Sequence, residues 1–154
     1  MAKPVVLPHL GNDLLVTPFF EADEWQTVDL TKSPLGAAYL DEPVDLALAR
    51  GEEALQQALI LRLLTPLGSL RDLGHASYGS RLHELIGQEN LEASRLRARA
   101  YVLQALAQER RVEKVLSLEI APVTADAPDR LRIFARVQPK GKVEPLTLGL
   151  EVGL

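Results

Sequence analysis

Apolar and polar residues change their spacing twice along this chain, and each change marks a different kind of structure. In residues 1–50, Pro4, Pro8, Pro18, Pro34 and Pro43, with Gly11 and Gly36, recur too closely for long helices. Each proline removes a backbone donor and pushes its predecessor out of the helical region. The segment therefore predicts short extended pieces at residues 5–7, 14–16 and 25–30. Residues 1–44 read as an extended N-terminal segment that either wraps over its own domain or lies against a partner.

From Gly51 the spacing becomes helical. Ala54, Leu55, Ala58, Leu59, Leu61 and Leu63 form a broad apolar face, and Glu52, Glu53, Gln56 and Gln57 supply a polar first turn. Glu52 and Glu53 suit the positive end of the helix dipole. Thr65 and Pro66 should end this helix. Residues 67–79 carry Gly68, Gly74 and Gly79 and read as a loop or short hairpin. A short helix over residues 80–86 follows, with Ser80 capping its start and Gly87 its end. Asn90 is the expected cap of a longer helix running to about residue 108, whose apolar stripe is Leu96, Ala100, Leu103, Leu106 and Ala107.

After Arg111 the period becomes two. Leu116, Leu118 and Ile120 alternate with Ser117 and Glu119; Leu131, Ile133, Ala135 and Val137 alternate with Arg130, Arg132, Phe134 and Arg136; Leu146, Leu148, Leu150 and Val152 alternate with Thr147, Gly149 and Glu151. These predict half-buried strands. The links at residues 124–129 and 139–142 are turn-rich and short enough for an antiparallel meander. Its apolar face needs a cover, which the helices of residues 51–108 supply. The expected fold is α+β, with helices packed on one face of a small, mainly antiparallel C-terminal sheet. Residues 45–154 form its domain.

Composition adds three constraints. Across 154 residues the chain is 47% hydrophobic and 25% charged, an ordinary globular balance, and with 5% aromatics its core must be aliphatic. A formal net charge of -4 opposes general attraction to nucleic acid. With no cysteine there is no disulfide framework, thiolate metal site or cysteine nucleophile. The first residues lack the pattern of a secretory signal and no apolar run approaches a membrane span, so a soluble, cytoplasmically made product is expected.

Four motifs then stand in order: Glu-Ala-Leu-Gln-Gln at residues 53–57, Leu-Arg-Leu-Leu-Thr-Pro at 61–66, Tyr-Gly-Ser-Arg-Leu at 78–82 and Glu-Arg-Arg-Val at 109–112. Their order and spacing resemble the baseplate wedge family of contractile phage tails. That family includes the W protein of P2-like phages and the sheath-initiating subunit of type VI secretion baseplates. The resemblance covers about residues 45–137 and extends through the strand pattern toward the C-terminus. It implies a structural, non-enzymatic component of the virion tail baseplate that links the wedge core to the first sheath ring and initiates sheath assembly, with no cofactor. The implied partners are other wedge subunits, the tail sheath protein, and tube or hub proteins. In the family the junction after the long helix reads Glu-Pro-Arg and contacts the helical core bundle of the wedge; here Glu109 and Arg111 match its ends and Arg110 replaces the proline. If residues 109–111 are extended, Glu109 and Arg111 project to one side for a partner. The alternative is that these charges form a solvated helix end, or pair with each other inside the domain.

The remaining candidates are Pro66, Gly68, Tyr78, Gly79 and Ser80 as a structural turn, and Arg130, Arg132 and Arg136 as a partner-binding strand face. With Phe134, that face also suggests a module for single-stranded nucleic acid. An acidic protein neighbour or solvent is the preferred reading, because one aromatic is a poor stacking platform. Some family members have been described as lysozyme-like, which directs attention to Glu84, Glu89 and Glu92. These lie on or beside predicted helices without a cleft signature. His75 and His83 with Glu84 match no metal-site spacing, and Ser80 with His83 defines no oriented triad.

Overall fold

Among the described residues, short ladders and one 3-10 turn occupy the proline-rich start of the chain. The computed structural model describes residues 8–18, 28–30, 32–33, 45–124 and 127–154. The chain divides into two compact units, residues 1–57 and 58–154, with the division inside the first helix.

In the first unit a 3-10 turn at Pro8–Leu10 leads into β1 (Asn12–Leu14) and β2 (Val16–Pro18), followed by β3 (Val28–Leu30), β4 (Lys32–Ser33), β5 (Asp45–Leu46) and β6 (Leu48–Arg50). They pair antiparallel as β1 with β6, β2 with β3 and β4 with β5. The piece expected at residues 14–16 is divided between two strands: Leu14 ends β1 and Val16 begins β2, with Leu15 as the break between them. That expected at residues 25–30 survives as β3, with residues 25–27 outside the described set, as are residues 5–7. At the break, the buried Gln57 Nε2 donates to the Leu14 carbonyl (2.7 Å) and its Oε1 accepts the Val16 N–H (2.8 Å). One amide thus stands in for a strand partner. Gln57 begins as a polar first-turn residue in the sequence and ends as a buried clamp.

Helix α1 (Glu52–Leu64) starts with the two expected acids and stops where Pro66 requires it. Thr65 closes it, donating both its N–H and its hydroxyl to the Leu61 carbonyl (2.9 and 2.7 Å). The following loop contains turns at Pro66 and Gly68, with Ser69 N–H donating to Pro66 and Arg71 N–H to Gly68, and a 3-10 turn at Arg71–Leu73. It returns so that Pro66 and Ser80 form a parallel bridge. Ser80 N–H donates to the Thr65 carbonyl and Leu67 N–H to the Ser80 carbonyl, both at 2.8 Å, while Ser80 Oγ donates to the Leu63 carbonyl at 2.6 Å.

The helix expected over residues 80–86 contracts to a 3-10 turn, Leu82–Leu85. Between the pinned Ser80 and the left-handed Gly87 (φ +83°) the chain has room for i→i+3 bonds only. Ser80 still helps at its start, accepting the Leu82 N–H at 3.3 Å.

Helix α2 (Glu92–Ala107) corrects two expectations. Asn90 does not cap it: Leu91 holds the cap position without a side-chain bond, and the Asn90 carbonyl and Oδ1 accept from Arg95 Nη1 (3.2 and 3.0 Å). The buried face is Ser94, Ala98, Val102, Ala105 and Leu106, and of the expected stripe only Leu106 belongs to it. Small residues let the helix axis come close to strand β7 (Val112–Thr124), so the sheet selects the narrow face of α2 and leaves Leu96 and Leu103 outside.

Strand β7, β8 (Ala127–Pro139) and β9 (Leu146–Gly153) form the expected antiparallel meander in the order β7-β8-β9. Thr124 pairs with Ala127, so the first link shrinks to residues 125–126, which lie outside the described set. Leu131, Ile133, Ala135 and Val137 are buried, as are Leu146, Leu148, Leu150 and Val152. At about 1.5–3 kcal/mol for each large aliphatic side chain, these two strands carry much of the stability of this unit. Strand β7 is less regular. A register shift between Val115 and Ser117 inserts Leu116 as an extra residue, and Leu116 is exposed where simple alternation puts it beside Leu118.

Gly79 lies hard against the main chain of the α1 end. Its φ is +113°, and a Cβ built there falls 2.5 Å from the Thr65 carbonyl oxygen and 2.9 Å from Pro66 carbonyl atoms. These are main-chain atoms that cannot rotate away. Gly79→Ala is expected to destabilise the protein by about 3 kcal/mol, measured by urea unfolding, whereas Gly74→Ala, with open space around its Cβ, costs about 1 kcal/mol for its positive φ alone.

Candidate functional site at the helix-to-strand junction

Three of the sequence motifs meet behind the end of α2. After the cap residue Gln108, Glu109 donates its N–H to Leu106 and accepts the Val112 N–H through its carbonyl (3.2 and 3.1 Å). Residues 109–111 are therefore a turn, not an extended strand. The Glu109 side chain is 9% exposed. Its Oε1 accepts Arg111 Nε at 2.8 Å and Arg111 N–H at 3.3 Å, and its Oε2 accepts Arg111 Nη2 at 3.1 Å. Arg62, from α1, reaches the same Oε2 at 3.4 Å. The acid and the guanidinium that the sequence offered to a partner thus engage each other within this unit.

Arg62 ties the remaining motif to the cluster. Its guanidinium lies 4.5 Å from the centre of the Tyr78 ring, and its buried Nε has no hydrogen-bond partner among the described residues. Stacking on the π face offsets part of the cost of burying that donor. Tyr78 is placed by Gly79 and Ser80, Arg62 by α1, and Glu109 by the end of α2. Sequence reading missed Arg62 as a site residue. The available signal was its place inside Leu-Arg-Leu-Leu-Thr-Pro, where an arginine interrupts an otherwise apolar helical face.

Beside this cluster is an open cavity of about 360 Å³ lined by Arg62, Gly74, His75, Ser77, Tyr78, Gln108 and Arg110. Two arginines and several neutral donors line it, so it suits an anionic group, such as a carboxylate, better than an apolar one. Arg110 is exposed and is the junction residue directed to the cavity.

The other candidates lie apart from this cluster. Arg130, Arg132 and Arg136 are on the β8 face opposite the buried leucines, as the alternation predicted. Arg132 is neutralised by Glu151 on β9, with Nε and Nη2 3.0 and 2.9 Å from Oε1. Phe134 stands opposite Gly149 and covers it, with Cε1 3.1 Å from a Cβ built there, and opposite Glu119 on its other side. An acid on each neighbouring strand, Glu119 and Glu151, makes the charge of this face mixed.

The carboxylates weighed for hydrolysis also have defined partners or positions. Glu84 forms a bidentate pair with Arg81 (2.7 and 2.8 Å) and accepts the Tyr101 hydroxyl (3.1 Å), which fastens the 3-10 turn to α2. The Arg81 hydrogen bond holds its carboxyl below the ordinary glutamate range. Glu89 and Glu92 are exposed. Among the described residues, no three His, Asp or Glu side chains are placed to hold a metal ion.

With the geometry established, one solved structure is informative. A crystal structure from Geobacter sulfurreducens named "putative tail lysozyme" aligns with 71% of this chain and 96% of its own, with a TM-score of 0.60 and 20% sequence identity. This chain has that fold. No family model matches the sequence, and no curated protein does.

Burial pushes the Glu109 carboxyl up, but the side-chain and backbone hydrogen bonds of Arg111, with the charges of Arg111 and Arg62, outweigh burial and hold it below the ordinary value of 4.5. A depressed folded-state value means that the carboxylate stabilises the fold above the unfolded-state value and loses this effect as pH falls through the lower folded-state value. Glu109→Gln is expected to cost about 2 kcal/mol at pH 7, the order of a charge-assisted hydrogen bond. In paired thermal melts the difference from wild type should shrink steadily below pH 4.5. A constant gap down to pH 2 would assign the loss to packing instead.

Proposed function

We propose that this protein is a structural component of a phage-tail baseplate, one that joins wedge subunits to the first ring of sheath. The observation that carries this reading is the convergence of the Leu-Arg-Leu-Leu-Thr-Pro, Tyr-Gly-Ser and Glu-Arg-Arg motifs on one cluster, within a fold shared with a protein named for a tail. The cluster works as a brace. Glu109, Arg111 and Arg62 set the angle at which α2 turns into β7, so a contact made at the junction is held rigidly to the sheet. A structural role also fits the direction of the Glu84 and Glu109 titrations, since glycoside hydrolysis needs an acid whose pKa is raised.

With Glu109 and Arg111 engaged internally, Arg110 is the junction residue available to a wedge partner, and the cavity beside it would receive a partner's acidic side chain. The sheath-facing contact falls to β9. Leu154 N–H donates to the Asp129 carbonyl at 2.6 Å, which fixes the alternation of the β8–β9 ladder. Residues 146, 148, 150 and 152 bond to β8, and the main-chain groups of Gly149, Glu151 and Gly153 point away from it. Such an edge can accept an added strand. The opposite edge is partly closed, because Arg99 on α2 donates to the Leu118 carbonyl of β7 at 2.6 Å.

The test is cryo-electron microscopy of tails assembled with the protein tagged at its N-terminus. Tag density is expected in a ring beside the first sheath layer; particles with full occupancy elsewhere, or with none, would overturn the reading. Two variants examine the separate contacts. Arg110→Glu should leave the melting transition within about 0.5 kcal/mol of wild type while lowering incorporation into baseplates. Glu151→Pro, which removes an outward N–H and the pair with Arg132, should enter the baseplate yet fail to nucleate sheath. Deleting β9 is less informative, because it removes four buried side chains.

A further inference from the structure

Helix α2 is apolar on two opposite sides, and its contacts with the sheet account for one. Ala93, Leu96, Ala100, Leu103 and Ala107 follow one another at intervals of three, four, three and four residues, a 3.5-residue period over two heptads. All five are exposed, Leu96 by 60% and Leu103 by 36%. A helix whose only task is to cover a sheet places polar residues there.

The edges of this seam are charged. Arg97 and Gln104 flank it on one side, Glu92 and Arg99 on the other. Arg97 has no ion-pair or hydrogen-bond partner among the described residues, while Arg99 is fixed in place by its bond to Leu118. The middle of the seam is therefore positive on both flanks. A second copy lying antiparallel would bring Arg99 against Arg99. One lying parallel would match Glu92 with Arg97 but leave Arg99 unmatched. Two leucines and three alanines also cover much less than the roughly 800 Å² per partner that a stable dimer needs. A contact of this size suits a partner already tethered nearby, which raises its effective concentration.

We infer that the outer face of α2 docks an amphipathic helix of a neighbouring protein, one with large aliphatic residues over Ala93, Ala100 and Ala107 and acidic residues facing Arg97 and Arg99. The three alanines supply shallow positions for the partner's side chains, and Leu96 and Leu103 enter the spaces between them. The tethering part of the argument rests on the reading of the protein as an assembly component. The side-chain chemistry does not.

The test uses the full chain and two labelled 21-residue helical peptides with leucine at both seam positions, one with glutamate and one with lysine at the flanking positions. Fluorescence anisotropy should show saturable binding of the glutamate peptide and at least tenfold weaker binding of the lysine peptide. Leu96→Asp, at a position too exposed to disturb the core, should abolish binding without changing the melting curve, and Arg97→Glu should reduce or reverse the preference. Absence of saturable binding, equal binding of both peptides, or undiminished binding by Leu96→Asp would each overturn the inference. So would a concentration-dependent dimer in sedimentation that Leu96→Asp dissolves, since a second copy would then occupy the seam. None of these results bears on tag position in tails, so the two proposals fail separately.

Discussion

The Thr65–Pro66 main chain passes so close to Gly79 that no side chain fits between them. The parallel bridge from Pro66 to Ser80 forms across that gap, and Ser80 Oγ extends it to the last turn of α1. This crossing fixes where the long loop returns. Tyr78 therefore lies under Arg62, Arg62 reaches Glu109, and Glu109 holds Arg111 at the start of β7. Without the crossing, the loop would have turns but no fixed direction, and the junction would lose one of its three supports.

A brace of this kind serves position more than stability. Buried ion pairs return much of their Coulomb energy as desolvation cost, so an apolar cluster of the same volume would stabilise the fold comparably. A carboxylate shared by two guanidiniums, one of them stacked on a ring, accepts only a narrow range of geometries. The angle between α2 and β7 is thereby specified.

The same logic separates the two faces of α2. The inner face uses Ser94, Ala98 and Ala105 to bring the helix close to β7, and the outer face presents Leu96 and Leu103. Bulk alone would assign these faces the other way. The arginine-bearing face of β8 shows a comparable limit: its residues alternate as predicted, yet Glu151 from β9 removes the free charge of Arg132.

By itself the sequence determined the features that depend on local chain properties: the stop of α1 at Pro66, the left-handed residues after short turns, and strands β8 and β9, whose alternation runs without interruption. It also determined that the fold is α+β, because three alternating strands need an apolar cover and only residues 51–108 can provide it. Tertiary structure decided the rest. Spacing cannot tell which of two apolar stripes on α2 meets the sheet, since that depends on the depth of the groove it enters. Nor can it reveal the bulge that turns Leu116 outward, which depends on register with β8, or the capture of Glu109 by Arg111 and Arg62. That last event requires α1 to end beside α2, and a contact between residues 62 and 109 exists only once the loop between them has been fixed by the absence of a side chain at residue 79.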